Sequence, residues 1–295
     1  MQEVLKAYQK EISAEHVKKE IEKLKKEIPK LKTVENLKKL FNLIDLTTLN
    51  STDSEAIGEK FCENVNNLQK EYPNMPDVAA ICVYPTLVET IKENLKKENV
   101  NIASVTAGFP SSQTFLAIKV VESRMAVAKG ADEIDIVISI GTFLEKKYNE
   151  IFTEIGVIKE AVENTHIKVI LETGVLPSLN DIRIASIIAM EAGADFIKTS
   201  TGKLETSATP EAVYVMTETI NDYYKKTKKK IGIKPAGGIS TADDALLYMA
   251  IVKNNLGEKW LNNKLFRIGA SRLANNLISE IGKLETGKQK EVKYF

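Results

Sequence analysis

Residues 167–174 have the sequence IKVILETG, and residues 195–202 have the sequence DFIKTSTG. Each stretch is a short apolar run that ends in Thr or Gly, and the segment LNDIRIASIIAMEAGA between them has the apolar spacing of a helix. Parallel strands that are buried on both faces are nearly continuous in apolar residues. The pattern therefore predicts two parallel strands joined by a helix.

The same unit recurs on both sides of this region, with starts roughly 25–35 residues apart, the length of one strand–helix unit. Eight strands alternating with helices favour an α/β fold, a closed (β/α)8 TIM barrel, over an open doubly wound sheet. No G-x-G-x-x-G follows the first run, which disfavours dinucleotide binding. The eight runs are residues 43–47, 78–85, 102–110, 133–141, 167–174, 195–202, 231–238 and 266–271.

The chain is expected to have three parts. Residues 1–40 form an N-terminal helical extension, in which apolar residues such as Val17, Ile21 and Leu24 recur at every third or fourth position. Residues 41–280 form the catalytic barrel, and residues 281–295 form a C-terminal tail. The extension is expected either to cover the N-terminal end of the barrel or to mediate assembly into a homo-oligomer.

Composition excludes several classes of function. The 295 residues include 41 Lys and Arg and 40 Asp and Glu, a net charge of +1, which disfavours a nucleic-acid partner or a polybasic membrane anchor. No apolar run approaches the ~20 residues of a membrane span. Two cysteines indicate a reducing compartment, hence a cytoplasmic protein. Two histidines exclude a three-histidine metal site, and we expect neither metal nor cofactor.

Two lysines interrupt runs that otherwise look buried. Lys198 follows Phe196-Ile197, and Lys234 follows Gly232-Ile233. We expect them to face each other across the mouth of the barrel, where two close cations lower the pKa of at least one amine. A neutral lysine in a dry pocket is a nucleophile for Schiff-base chemistry. The alternative for either lysine is a salt bridge or a phosphate contact, and the pattern alone does not choose between the two.

Asp135 lies within the fourth run, and Lys198 lies within the sixth. Alternate strands of a barrel contribute side chains to the same interior layer, so these two side chains are expected to point at each other. A carboxylate in that place could relay protons. The alternative is an ion pair with only a structural role.

Glycines follow the last three strands and predict a phosphate site. The loops after strands seven and eight are the usual place for one in this fold, and glycine lets backbone N–H groups approach a ligand. Ser240 and Thr241 open a helix whose N-terminus attracts anions, with Ser240 and Asp243 at the offset of a capping box. The candidate phosphate-binding residues are Gly202, Lys203, Gly237, Gly238, Ser240, Gly269 and Ser271.

Together these motifs resemble the deoxyribose-phosphate aldolase family of class I, Schiff-base aldolases. The resemblance covers roughly residues 41–273, which is most of the chain, and it implies a (β/α)8 barrel. The motifs that carry it are LTTL (46–49), AICVYP (80–85), GFP (108–110), ADEID (131–135), ETG (172–174), FIKTSTG (196–202), KPAGG (234–238) and FRIGAS (266–271).

The resemblance implies an enzyme that reversibly cleaves 2-deoxy-D-ribose 5-phosphate to acetaldehyde and D-glyceraldehyde 3-phosphate. It implies that Lys198 forms the Schiff base, Lys234 perturbs it and Asp135 moves protons. It also implies phosphate contacts at the glycines and Ser271, and that Cys82, otherwise a small buried residue, is part of the substrate pocket. Further candidate substrate contacts are Asp45, Thr47 and Thr201.

Three features depart from the family pattern. Ser240 stands where members often have Arg, the Lys-rich segment before residue 40 lies outside the bacterial core pattern, and the tail before Tyr294 differs from tails that carry an active-site tyrosine. Two alternatives stay open. One is another class I aldolase or a transaldolase acting on a ketose phosphate, and the other is a catalytically silent barrel that binds sugar phosphates or a partner protein.

Overall fold

The structure is a computed structural model that describes residues 1–295. Eight short strands follow one another along the chain, one at each of the eight apolar runs of the sequence, and β3 and β5 begin one residue before their runs. They are β1 (Ile44–Thr47), β2 (Ala80–Val83), β3 (Asn101–Thr106), β4 (Glu133–Val137), β5 (His166–Ile170), β6 (Phe196–Lys198), β7 (Gly232–Lys234) and β8 (Ile268–Ala270).

All of the strand pairs are parallel. Each strand from β1 to β7 pairs with the next along the chain, and β1 also pairs with β8. Between β7 and β8 the contact consists of two isolated bridges, Ile233 with Phe266 and Ala236 with Gly269. The predicted (β/α)8 barrel is confirmed, with its closure least continuous between β7 and β8.

Thirteen helices accompany the strands, and at least one helix follows each strand. They are α1 (Gln2–Ala7), α2 (Ala14–Lys25), α3 (Ile28–Leu31), α4 (Val34–Asn42), α5 (Glu55–Glu71), α6 (Val88–Asn94), α7 (Leu116–Ala128), α8 (Ile140–Leu144), α9 (Tyr148–Ala161), α10 (Leu179–Glu191), α11 (Pro210–Thr227), α12 (Ala242–Leu256) and α13 (Arg272–Thr286). Short 3-10 turns cover Pro85–Leu87, Thr173–Val175 and Glu258–Trp260.

The N-terminal extension comprises four helices. The apolar positions Val17, Ile21 and Leu24 form the buried face of α2, as the spacing in the sequence predicts. This helix packs against α11 and α12, and α4 packs against α12 and α13. The extension therefore lies against the outer layer of helices on the chain's own barrel.

Two of the expected boundaries fall within helices. The boundary after residue 40 lies in α4, which continues to Asn42, and the boundary after residue 280 lies in α13, which continues to Thr286. The capping box of α12 also differs from the expected pair by one residue. Thr241 is the N-cap and exchanges hydrogen bonds with Asp244, because the helix begins one residue later than the Ser240–Asp243 pairing requires.

None of the helices has the length and apolarity needed to cross a membrane.

The interior of the barrel contains two kinds of side chain. Small apolar residues from β2 and β3, including Ala80, Cys82 and Ala103, form one cluster. Charged side chains from β1, β4, β5, β6 and β7, together with Arg267 just before β8, form the other, and all of them are buried. The strands thus place a group of ionic side chains inside the barrel, where ionic groups are stable only if they are paired.

Candidate active site

Asp135 is the centre of the charged interior. Its Oδ2 lies 2.8 Å from Nζ of Lys198 and 2.8 Å from Nζ of Lys234, and its Oδ1 lies 3.0 Å from Nζ of Lys168. The hydrogen bond from Lys198 on β6 to Asp135 on β4 agrees with the prediction that the two side chains point at each other. Lys198 and Lys234 are Cα partners on adjacent strands. They therefore lie side by side, rather than across the mouth as the sequence suggested.

A second set of contacts lies next to Asp135. Oδ2 of Asp45 forms an ion pair with Nζ of Lys234 at 2.5 Å, and Oδ1 of Asp45 accepts a hydrogen bond from Nη1 of Arg267 at 2.6 Å. Glu133 contacts Nζ of Lys168 at 2.5 Å and Nη2 of Arg267 at 2.8 Å. We call Asp45, Glu133, Asp135, Lys168, Lys198, Lys234 and Arg267 the interior ionic network.

The two lysines beside Asp135 have pKa values shifted in opposite directions. Burial lowers the pKa of Lys198, and the positive charge of Lys234 acts in the same direction against the attraction of Asp135. Burial would also lower the pKa of Lys234, but the carboxylates of Asp135 and Asp45 raise it above its usual range. The lowered pKa of one amine was predicted from the neighbouring cation, whereas its largest cause is burial.

A cavity of about 450 Å³ opens at the C-terminal ends of the strands. Lys198 is the one member of the interior ionic network that lines it. The amine with the lowered pKa is therefore the one that a substrate in the cavity can reach. Ten of the fourteen predicted site residues line this cavity: Thr47, Lys198, Thr201, Gly202, Lys203, Gly237, Gly238, Ser240, Gly269 and Ser271.

The other four predicted residues lie beneath the cavity. Asp135 contacts Lys198, and Lys234 contacts Asp135. Asp45 and Cys82 were predicted to bind substrate, but both have no exposed area and neither lines the cavity. Asp45 is inside β1 and is held by Lys234 and Arg267, and Cys82 packs with Ala80 and Ala103. The prediction of direct substrate contact is therefore not supported for these two residues.

Glycines shape the end of the cavity that was predicted to hold phosphate. Gly237 and Gly238 have φ values of 83° and 77°, a region that side chains with a Cβ rarely adopt. A Cβ at Gly237 would also lie 2.6 Å from Cβ of Ser207. The first residues of α12 and α13 follow this end, with Thr241 and Ser271 as their N-caps. Two helix N-termini and turns rich in N–H groups form a surface suited to an anion.

Two cations belong to the same end of the cavity. Lys203 lines it, and Nζ of Lys203 donates a hydrogen bond to the carbonyl of Leu49. Arg272, the first residue of α13, also lines it and was not predicted. These side chains supply the positive charge that Ser240 cannot supply.

Thr201 has a partner within the protein. Its hydroxyl donates to Oε2 of Glu172 at 2.6 Å, and its N–H donates to Oε1 of the same carboxylate at 3.2 Å. Glu172 has a left-handed backbone with φ of 53°, and burial raises its pKa. The hydroxyl of Thr201 also accepts from the N–H of Lys203 at 3.1 Å. Thr201 thus shapes the loop that carries Gly202, in addition to lining the cavity.

The last two residues lie near the cavity in different ways. The hydroxyl of Tyr294 donates to the carbonyl of Asn64 at 2.7 Å, and this residue does not line the cavity. Phe295 does line it. Asn275 fixes this end of the chain, because its Oδ1 accepts from the N–H groups of both residues at 3.0 Å.

Sequence reasoning missed Lys168, Glu133 and Arg267 as members of the network, and Arg272 and Phe295 as residues of the cavity. Lys168 gives the same signal as Lys198, a lysine inside a run that is otherwise apolar. Arg267 is the second residue of the last apolar run and could have been recognised in the same way. Nothing in the sequence indicates that Phe295 returns to the cavity.

A larger groove of about 990 Å³ lies beside α1. Its buried cation, Arg183, already donates to Asp222 at 2.8 Å and to the carbonyl of Tyr8 at 2.8 Å. The lysines that line that groove are not buried, unlike Lys198 at the barrel mouth. No group of three or more His, Cys, Asp or Glu side chains has an arrangement suited to a metal ion.

Residues 39–259 match the model of the DeoC/LacD family of aldolases. The chain belongs to the DeoC/LacD aldolase family. As a DeoC/LacD aldolase it is an enzyme of the lyase class, and the family model spans the strands from β1 to β7 that carry six members of the interior ionic network.

Relatives with curated names agree with this assignment. The deoxyribose-phosphate aldolase of Homo sapiens is 42% identical over 267 residues, which cover 85% of this DeoC/LacD aldolase and 82% of the human protein. The deoxyribose-phosphate aldolase of Mus musculus is 40% identical over 267 residues, with the same coverage of 85% and 82%.

Solved structures agree on the fold. One described as QR15, an aldolase, has a TM-score of 0.67 and 28% identity, covering 83% of this DeoC/LacD aldolase and 96% of that chain. Another, described as a unique tetrameric structure of deoxyribose phosphate aldolase from Aeropyrum pernix, has a TM-score of 0.65 and 22% identity, covering 94% and 100%.

Proposed function

We propose that this aldolase reversibly cleaves 2-deoxy-D-ribose 5-phosphate to acetaldehyde and D-glyceraldehyde 3-phosphate through a Schiff base on Lys198. The observation that carries the proposal is a single amine, of lowered pKa, which lies 2.8 Å from a buried carboxylate and lines the cavity. The names of the human and mouse relatives support the choice of substrate. The reaction breaks down a deoxyribose phosphate, so we assign the enzyme to carbohydrate and deoxyribonucleotide catabolism.

The first stage is attack of the free amine of Lys198 on C1 of the open-chain aldehyde. The C1–N bond forms, and the aldehyde oxygen becomes the hydroxyl of a carbinolamine. Asp135, at hydrogen-bond distance from Nζ, moves one nitrogen proton to the aldehyde oxygen, which gives that hydroxyl, and then delivers a second proton, taken up from solution, to the hydroxyl. Water then leaves and the iminium forms. The cation of Lys234, held by Asp135 and Asp45, favours the free amine over the ammonium before the attack.

The second stage breaks the carbon–carbon bond. The hydroxyl on C3 loses its proton, the C2–C3 electron pair moves into the iminium, and D-glyceraldehyde 3-phosphate leaves. The remaining enamine gains a proton at C2, and water releases acetaldehyde and regenerates Lys198. The iminium accepts the electron pair, so the residues of this chain need only position the substrate and move protons.

The phosphate of the substrate occupies the glycine-rich end of the cavity in this proposal. Backbone N–H groups at Gly202, Gly237, Gly238 and Gly269 and the hydroxyls of Ser240 and Ser271 would bind its oxygens, with Lys203 and Arg272 balancing its charge. Thr47 lines the same cavity and is a candidate contact for the sugar. Binding energy from the phosphate would hold C1 against Lys198.

The test is trapping with borohydride in the presence of 2-deoxy-D-ribose 5-phosphate, followed by peptide mapping. We expect a label on Lys198, no label in Lys198→Ala, and normal labelling in the surface variant Lys129→Ala. We also expect turnover to persist in EDTA. A label on another lysine would contradict the assignment, and cleavage of a ketose phosphate but not of 2-deoxy-D-ribose 5-phosphate would contradict the substrate.

We infer that the chain self-associates through α7. Four large apolar side chains, three on this helix and one at its N-cap, Phe115, are strongly exposed: Phe115 (81%), Ile118 (54%), Val121 (52%) and Met125 (60%). By their sizes they expose about 400 Å² of apolar surface, roughly half of what one partner contributes to a stable interface. A second copy that presents the same face would cover this surface. None of the four residues is charged, so this contact would bury no charge at these positions.

We also propose a cytoplasmic location. Both cysteines, Cys62 and Cys82, are free thiols and are buried. A chain with two unpaired thiols suits a reducing compartment.

A further inference from the structure

The interior ionic network contains more cations than carboxylates. Its carboxylates are Asp45, Glu133 and Asp135, and its cations are Lys168, Lys198, Lys234 and Arg267. Each of these side chains belongs to a residue that is at most 4% exposed. Water therefore contributes little to their solvation, and an unbalanced charge in this place is costly.

One of the four cations is held less firmly than the others. Lys168 has three carboxylates within 3.7 Å, at 2.5, 3.0 and 3.7 Å. Lys234 contacts two carboxylates, and so does Arg267. Lys198 contacts Asp135 alone. Arg267 does not lose its proton, because the pKa of an arginine is too high. Of the three lysines, Lys198 has the fewest carboxylate partners, so its deprotonation costs the least free energy.

Deprotonation of Lys198 leaves three carboxylates facing three cations. We propose that Arg267 and Glu133, which contact neither Lys198 nor the cavity, are positioning residues that fix, through this charge balance, the pH at which the Lys198 amine becomes free. The proposal rests on the proposed function of Lys198. It adds that the reactivity of Lys198 depends on a pair of residues outside its immediate surroundings.

The geometry of Arg267 suits this role. Its Nη1 lies 2.6 Å from Oδ1 of Asp45, and its Nη2 lies 2.8 Å from Oε1 of Glu133. The guanidinium therefore joins the two carboxylates that in turn hold Lys234 and Lys168. Oδ2 of Asp45 is left to face Lys234 at 2.5 Å. A planar group with several donors can hold two carboxylates in this way, whereas a lysine amine cannot do so with the same geometry.

Two further titratable groups face this region. Cys82 lies on β2, and burial raises the pKa of its thiol, which keeps it neutral. Glu172 follows β5 and is held by Thr201. Both lie within electrostatic range of Lys198, but neither forms a hydrogen bond or an ion pair with a member of the interior ionic network, so neither alters the count of paired charges.

Variants of the two residues have opposite expected effects. In Arg267→Met, three carboxylates face two remaining cations, so a protonated Lys198 becomes favourable and its pKa rises. In Glu133→Gln, two carboxylates face three other cations, so the pKa of Lys198 falls. Each single change is expected to move the midpoint by about one pH unit. The double variant restores the balance and is expected to return the midpoint toward that of the unmodified enzyme.

The measurement is the rate at which acetaldehyde and cyanoborohydride label Lys198, followed by peptide mapping from pH 5 to pH 10 on the full chain. The labelling rate rises with pH as the free amine appears, and the midpoint of that rise is the readout. Arg267→Lys retains the positive charge, so it is expected to keep the midpoint within a few tenths of a pH unit even where it lowers stability.

Arg183→Met is the matched control. Arg183 is also 4% exposed and also forms a 2.8 Å ion pair, with Asp222, but it lies outside the network. We expect it to lose stability and keep the midpoint. Equal midpoints in Glu133→Gln and the unmodified enzyme, or shifts of one sign in both single variants, would overturn the inference. If Arg267→Met does not fold, the other two variants test the inference: Glu133→Gln is expected to lower the midpoint, and Arg267→Lys is expected to keep it. An unmodified enzyme with no label on Lys198 would instead overturn the proposed function, and the inference with it.

Discussion

The amines of Lys198 and Lys234 lie at the same distance, 2.8 Å, from the same oxygen of Asp135. Burial acts on both, yet the pKa of Lys198 is lowered and that of Lys234 is raised. The difference arises because Lys234 has a second carboxylate, Asp45, at 2.5 Å. Two identical side chains on adjacent strands therefore have pKa values shifted in opposite directions, and Lys198 loses its proton more readily than Lys234.

Lys234→Leu tests the influence of the second cation. Removing its positive charge leaves Asp135 to act on Lys198 alone, which raises the pKa of Lys198. We expect kcat/KM to fall by about 100-fold or more and the pH optimum to move upward. A pH profile of kcat/KM gives both quantities. Activity and optimum like those of the unmodified enzyme would show that Lys234 has no such influence.

Asp135→Asn tests the proton relay. The amide keeps the shape of the side chain but cannot take up a proton, so we expect turnover to fall by about 100-fold or more. Stability should also fall by about 3–5 kcal/mol, because three cations lose a shared carboxylate. Asp132→Asn is the control, since Asp132 accepts from the N–H of Ile102 at 2.8 Å and lies outside the network. Its turnover is expected to stay within twofold.

Lys203→Ala and Arg272→Ala test the phosphate site. We expect each to raise KM for 2-deoxy-D-ribose 5-phosphate by about 10-fold, the effect of losing ~1.4 kcal/mol of charge-assisted binding. Neither should change the rate with unphosphorylated 2-deoxyribose, which lacks the charge. Equal effects on the two substrates would indicate a loss of structure at the cavity instead of a loss of phosphate binding.

Acid should weaken the fold through the interior ionic network. Burial acts to raise the pKa values of Asp45 and Asp135, but neighbouring cations lower both. Lys234, Arg267 and Lys168 lower the pKa of Asp45, and Lys168, Lys198 and Lys234 lower that of Asp135. A carboxyl with a lowered pKa in the folded state contributes stability that is present above its unfolded pKa of about 4 and is lost as the pH falls further. Urea unfolding between pH 2.5 and pH 6 should show this loss. Asp45→Asn should show a shallower dependence on pH.

Ile118→Asp combined with Val121→Asp tests self-association. Two carboxylates on the exposed face of α7 should prevent its burial against a second copy, so light scattering after size-exclusion chromatography should report a smaller species. Asn149→Asp adds charge at an exposed position of α9 and should leave the assembly unchanged. An unmodified chain that is monomeric throughout would contradict the proposed role of α7.

The sequence predicted the barrel well because one signal repeats eight times. Short apolar runs at regular spacing allow few other folds. Six strands lie within the predicted runs, and β3 and β5 begin one residue before theirs. The bounds of the parts were less predictable. Nothing in the apolar spacing distinguishes the end of α13 at Thr286 from a tail that begins at residue 281.

The lysine pair and Asp135 were also predictable, since charged residues inside apolar runs must have partners. The positions of Asp45 and Cys82 were not, because the order of residues does not tell how deep a side chain lies inside the barrel. Arg267 and Glu133 meet only through the closed barrel, 134 positions apart in sequence. The approach of Phe295 to the cavity depends on its hydrogen bond to Asn275, and no local sequence pattern predicts that contact.

The barrel is joined between β7 and β8 by only two isolated bridges, next to the loops that carry Gly238 and Ser271. A phosphate held by both loops would span this gap and add the hydrogen bonds that the strands do not make. In that arrangement the substrate would complete the wall of the barrel, and separation of the two strands would be slowest while the sugar is bound.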